Sequence, residues 1–232
     1  MTERPLGRIV PSDNQHVMKY GLTTETIPDK PTPVVAGTNW YEGFDTPAWD
    51  ARGRFWMIGN GDLGRVRGGH AFVLLPDGLD DSASWWEWFN QGQEGACVGF
   101  AAARMMALLN RRRYDARELY LAAQRVDDWP GENYSGTSVR AGLDVLRQRG
   151  PMRVRGSHVT GPHKQDGIEV FRWATSVPDI LASMHSPRYL KMGRLRFLNS
   201  WGKGYPHFTW MPLDVVDRLI REEGEFGLVT DR

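Results

Sequence analysis

The one cysteine of the chain, Cys97, stands where a glycine-bearing loop, Asn90-Gln91-Gly92-Gln93-Glu94-Gly95-Ala96, runs into an apolar stretch of helical period. A helix N-terminus presents unpaired N–H groups and a partial positive charge. Both favour thiolate over thiol, the form in which cysteine is a nucleophile. The plainer use of such a residue is as a small buried hydrophobe at a helix start. Nucleophilic use needs a base, and the base needs an orienting group. Gly68-Gly69-His70-Ala71-Phe72 sets a histidine at the head of an apolar run, with two glycines allowing close backbone approach. Asn199-Ser200-Trp201-Gly202 sets an amide at the end of an alternating run, beside a tryptophan able to shield a hydrogen bond. Taken singly, His70 suits a structural histidine and Asn199 a turn. Gln91, six residues before Cys97, completes a set of polar residues able to do chemistry together.

Elements must bring them together. Val98, Ala101, Ala102, Met105, Leu108 and Leu109 recur at helical spacing and predict a helix over 96–111. A second helix is expected over 116–125, capped by Asp115, and a third from Thr137 or Ser138 to Arg149, stopped by Gly150-Pro151. Shorter helices are expected at 177–184 and 213–223. Strands are expected at 33–37, 68–75, 193–198 and 226–229, with Pro76-Asp77-Gly78 as a turn. Residues 40–69 read as a long loop holding one strand near 54–58, and 156–167 read as loop. Residues 1–33 carry five of the 14 prolines and read as an extended surface arm. Helices grouped in the middle with strands on both sides make an α+β fold. If His70 is to meet Asn199, the strand 71–75 must pair antiparallel with 195–198, since only that sense brings the start of one strand beside the end of the other.

The set resembles the papain-like cysteine peptidases. Gln91-Gly92-Gln93-Glu94-Gly95-Ala96-Cys97 is similar to their nucleophile motif, Gly69-His70-Ala71 to their base motif, and Asn199-Ser200-Trp201-Gly202 to their orienting motif. Tyr134-Ser135-Gly136-Thr137-Ser138 is similar to the stretch that lines their substrate cleft. The resemblance covers about residues 34 to 230 and looks closer to a bacterial or phage branch than to the secreted, disulfide-bonded branch. It departs in order: His70 precedes Cys97 here, as in a permuted chain. Because a triad is defined by geometry, the reordering does not forbid one.

The resemblance implies a catalytic domain over 34–232, mostly β over 34–75 and 193–232 and mostly helical over 96–185, with a helical subdomain packed on an antiparallel β subdomain or barrel. It implies a hydrolase in which Cys97 attacks, His70 carries the proton, Asn199 orients the ring, and Gln91 with the Cys97 N–H receives the oxyanion. Gly136, Thr137 and Trp201 would line the substrate site, and polypeptide would be the substrate, with no metal or organic cofactor. Two rivals stand beside it: a permuted amidase or acyltransferase of the same fold, and a non-catalytic binding protein such as a phage particle component, in association with a larger assembly.

Composition narrows the remaining classes. The 232 residues are 41% hydrophobic and 25% charged, which fits one globular domain, or at most one and a half. Twenty-nine Lys and Arg balance 28 Asp and Glu, so there is no general basic field for nucleic acid. Arg111-Arg112-Arg113 reads as a solvated helix end, and the pairs Asp80-Asp81 and Asp127-Asp128 as exposed loops rather than cation sites. His158, His163 and His185 sit in segments without a strand pattern and are the competing candidates for the base. No apolar run approaches the roughly 18 residues of a membrane span. A lone cysteine and an N-terminus without an apolar core lead to the expectation of a reducing, cytoplasmic setting, virion association included.

Overall fold

The computed structural model describes residues 28–79, 89–128 and 135–232. Most of the expected arm, Asp80-Asp81 and Tyr134 lie outside that range. Ten strands and six helices follow in the order β1 (Val34–Tyr41), β2 (Ala48–Asp50), β3 (Phe55–Met57), β4 (Val66–Leu75), α1 (Cys97–Asn110), α2 (Ala116–Gln124), α3 (Val139–Gln148), β5 (Arg153–Arg155), β6 (His158–Thr160), β7 (Ile168–Trp173), α4 (Val177–Ser183), α5 (Arg188–Met192), β8 (Arg194–Leu198), β9 (Phe208–Pro212), α6 (Leu213–Arg221) and β10 (Glu225–Asp231).

Eight strands form one sheet in the order β2-β3-β9-β8-β4-β1-β10-β7, antiparallel except for β3 against β9, and β5 pairs only with β6. The sheet is open in its pairings, with β2 and β7 as edges, where the resemblance implied an antiparallel β subdomain or barrel. Successive side chains of a strand point to opposite faces, and here both faces are covered. Val34, Ala36 and Trp40 of β1, Phe72 and Leu74 of β4, and Leu195 and Phe197 of β8 enter one core with α4, α5 and α6. Val35 of β1, Ala71, Val73 and Leu75 of β4, and Leu198 of β8 enter a second core with α1, α2 and α3. Two-sided burial is why the central strands read as continuous apolar runs. It also means that helices cover both faces of the sheet rather than one.

Helix α1 is the longest and almost entirely buried. At Gly99 an added Cβ would lie 2.5 Å from the carbonyl oxygen of Ala116, so the glycine lets α2 cross closely. Asp115 accepts a hydrogen bond from Glu118 N–H, the cap expected for α2, and Ser138 accepts one from Ala141 N–H, so of the two expected starts for α3 it is Ser138 that caps it. Asp166, 3% exposed, holds the far end of this layer. Its carboxylate receives Tyr114 Oη at 2.9 Å, Arg112 Nη1 at 2.8 Å and Arg153 Nη2 at 2.6 Å. Among the described residues, no helix is long and apolar enough to cross a membrane.

Candidate active site

His70 and Asn199 reach each other through the sheet. β4 pairs antiparallel with β8, with Val73 opposite Leu198, Leu74 opposite Phe197 and Leu75 opposite Arg196. Following that register past the end of β8 carries Asn199 to the His70 end of β4. The imidazole Nε2 lies 2.7 Å from Asn199 Oδ1, both residues being buried. The same Oδ1 accepts the backbone N–H of Ser200 at 2.7 Å. A backbone N–H can only donate, so the atom facing it is the amide oxygen. Nε2 must then carry the hydrogen that it donates to Oδ1, and the lone pair falls on Nδ1. Asn199 thus fixes the tautomer and leaves the basic nitrogen clear.

Around this pair the surroundings are apolar. Trp201 lies against the imidazole with ring centroids 4.6 Å apart and planes tilted by 35°. Trp40 meets it from β1 at 4.7 Å and 72°. His70 is fully buried. Burial disfavours the charged ring and pushes the histidine down to about 4, while the bond to Asn199 pulls weakly the other way. The imidazole is therefore neutral at pH 7, with Nδ1 buried and without a hydrogen-bond partner.

Cys97 opens α1, 1% exposed, and no side chain caps the helix before it. α1 packs on β4 and β1, and Cys97 shares a core cluster with Ala71, whose side chain points to the sheet face opposite that of His70. No hydrogen bond joins the thiol to His70 in this state, since Nδ1 is unpartnered. The loop before Cys97 is stitched to the segment after β8. Gln91 N–H donates to Ser200 O at 2.9 Å, Gly202 N–H donates to Phe89 O at 2.9 Å, and Asn90 forms a bridge with Trp201. The Gln91 side chain is buried; its Nε2 donates to Glu94 O at 3.1 Å, and its Oε1 has no partner.

The 135–138 segment adjoins the same loop. Gly95 N–H donates to Ser135 Oγ at 3.0 Å, and a Cβ on Gly95 would fall 2.1 Å from that oxygen. Gly136 and Thr137 are buried, and the Thr137 hydroxyl donates to Asp127 at 2.9 Å. Gly136 N–H donates to Tyr120 Oη at 3.3 Å.

His70, Asn199 and Trp201 come together where β4 meets the end of β8, the Gln91 loop is stitched to that segment, Ser135 beside Gly136 receives Gly95 N–H, and Cys97 opens the helix that packs on β4. The competing histidines go elsewhere. His185 bonds the carbonyl of Pro28, His163 bonds Thr160, and His158 lies exposed on β6. Asp127, expected exposed, is buried and receives Thr137. Among the described residues, no group of three or more His, Cys, Asp and Glu side chains could hold a metal ion. The residue missed in the sequence is Trp40. Its signal was the alternation Val34, Ala36, Thr38, Trp40, which runs on past the glycine at 37 taken as the strand end.

No family model matches the chain, and no curated protein matches it. Among solved structures, it is similar to xylellain, a cysteine protease from Xylella fastidiosa, at 13% identity and a TM-score of 0.47, with 68% of this chain and 92% of that one covered.

Proposed function

We propose that the chain is a cysteine hydrolase of the papain-like kind, cleaving peptide bonds through Cys97, His70 and Asn199. The observation that carries this reading is the 2.7 Å bond from His70 Nε2 to an asparagine oxygen already fixed by Ser200 N–H. It leaves a neutral base with its lone pair on Nδ1, on the strand against which the cysteine-bearing helix packs. In the reaction Nδ1 takes the thiol proton as sulfur bonds to the scissile carbonyl carbon. The carbonyl oxygen gains the negative charge, met by the Cys97 N–H and Gln91 Nε2. The charge returns as the C–N bond breaks, and Nδ1–H protonates the departing amine. Water then repeats the attack on the thioester, losing its proton to Nδ1 and restoring the thiol. None of these steps calls on a metal or organic cofactor. Catalytic hydrogen bonds are often long before substrate binds and tighten afterwards, which fits a thiol and imidazole not yet joined.

Alkylation by iodoacetamide at neutral pH tests the reading, because Cys97 is the only thiol. Rapid labelling that His70→Ala slows at least tenfold supports it; slow labelling indifferent to His70 defeats it. A second reading has its own observation: a thiol 1% exposed and not bonded to the histidine suits a binding protein that keeps the fold without turnover. Indifferent labelling is the outcome that favours it. Within the first reading, Gln91→Ala is expected to lower kcat by about 10² to 10³, as loss of an oxyanion donor does. Steady-state kinetics on a peptide substrate measure this, and an unchanged kcat removes Gln91 from the mechanism.

A further inference from the structure

We propose that Trp40 is a positioning residue for His70, completing with Trp201 an aromatic clamp of two adjoining indoles whose orientation is set by Asp45. The proposal rests on His70 being the base. Three observations carry it. First, the register of β1 on β4 puts Thr38 opposite His70 and Trp40 opposite Gly68. Residues two apart share a strand face, and an aromatic side chain reaches its diagonal neighbour on the next strand. The missing side chain at 68 leaves room for the indole to lean toward the imidazole, where the centroids come within 4.7 Å. Second, Trp40 also meets Trp201 at 5.1 Å, so the two indoles that contact the histidine brace each other. Third, Trp40 is fully buried yet polar at one point: its Nε1–H donates to Asp45 Oδ1 at 2.9 Å, and Asp45 is ion-paired with Arg67.

A leucine would be apolar there but smaller, and Asp45 could not hold it to one orientation. The indole's wide plane, pinned at its N–H, restricts rotation of the imidazole about its bond to the strand. Asn199 fixes only the Nε2 end; the clamp fixes the plane in which the Nδ1 lone pair lies. Thr38, Trp40, Trp201 and Asn199 surround the ring, and the charged pair Asp45 and Arg67 lies behind Trp40. The neutrality of the histidine follows from burial rather than from a nearby charge.

The test uses the intact chain and three variants: Trp40→Leu, Trp40→Phe and Asp45→Ala. Nitrogen NMR of His70 reports tautomer and titration, and kinetics report kcat and KM separately. In the unmodified protein His70 is expected as one Nε2–H tautomer, staying neutral well below pH 6. Trp40→Leu is expected to give exchanging tautomers and a titration moved toward the ordinary histidine value. Its kcat should fall about tenfold to 10²-fold, the scale of a small misplacement of a reacting group, with KM little changed. Phenylalanine at 40 is expected to restore part of kcat, and Asp45→Ala to fall between. Should Trp40→Leu not fold, Trp40→Phe and Asp45→Ala decide. Unchanged His70 signals in folded variants overturn the proposal. Absence of turnover in the unmodified protein would instead overturn the hydrolase reading, while the NMR result would still judge the clamp.

Discussion

Replacing Cys97 by alanine is expected to lower peptide hydrolysis by about 10⁴ to 10⁶, down to what binding alone supplies. The side chain opens α1 and is the only thiol of the chain, so no other residue can form the thioester. Alanine keeps the helix start and loses one buried sulfur, so the fold should survive with a small loss of stability. Groups that act as one unit are not additive. The double variant Cys97→Ala with His70→Ala is therefore expected to be no slower than Cys97→Ala alone. Initial rates on a fluorogenic peptide, at matched folded concentration, measure both. If Cys97→Ala kept more than a tenth of the activity, hydrolysis would belong to another group and the triad would be wrong.

Replacing Asp166 by alanine is expected to destabilise the fold by about 2 to 3 kcal/mol without touching the site. Removing one partner of a fully buried ion pair costs roughly 3–5 kcal/mol because a charge is left without compensation. Here Asp166 is 3% exposed, but the Arg112 side chain it holds is 49% exposed and can return to water, so the lower figure is appropriate. Burial alone would raise the carboxyl. Hydrogen bonds from Arg153 and Tyr114 and the charges of Arg153 and Arg112 outweigh it, and hold Asp166 below the usual carboxylate range. A carboxylate depressed in the folded state contributes its stability above its unfolded value and loses it as pH falls through the folded one. The gap between the two proteins in urea unfolding should therefore be full at pH 7 and shrink below about pH 4, near the unfolded value for aspartate. Equal urea midpoints at pH 7 would show that the cluster adds nothing.

The parts legible in the sequence were those whose signals are local. Cys97 stood at the start of a strong apolar period, Asp115 was a cap by type and place, the start of α3 was narrowed to Thr137 or Ser138, and 193–198 alternated visibly. The pairing of β4 with β8 was also legible, from the requirement that His70 and Asn199 meet. Elements of few residues and mixed burial were not. The three-residue strands β2, β5 and β6 and the five-residue helix α5 are too short to establish a period, and β7 has no clean alternation of buried and exposed residues. Their places depend on partners distant in sequence: β7 is a strand because β10 lies beside it, and β9 because β8 does. The extension of β1 to Tyr41 was missed for the same reason, and with it Trp40, whose contact with His70 exists only across two paired strands. The helices on the second face of the sheet were seen singly, but nothing local says which face a helix covers.

The register of the central strands also governs when the His70–Asn199 pair can first exist during folding. β1 pairs with β10 through Val35 and Gly227, and β4 with β8 through Val73 and Leu198. Such long-range closures make up the middle of the sheet, and pairings of this kind are slow because the chain entropy of the intervening residues is lost before the contacts form. His70 lies early in the chain, yet its orienting oxygen arrives 129 residues later. Early helical structure around Cys97 can form while the histidine still lacks its partner. On the proposed hydrolase reading, the base would gain its orienting partner only once this long-range pairing has closed, and a half-made chain would lack a working site.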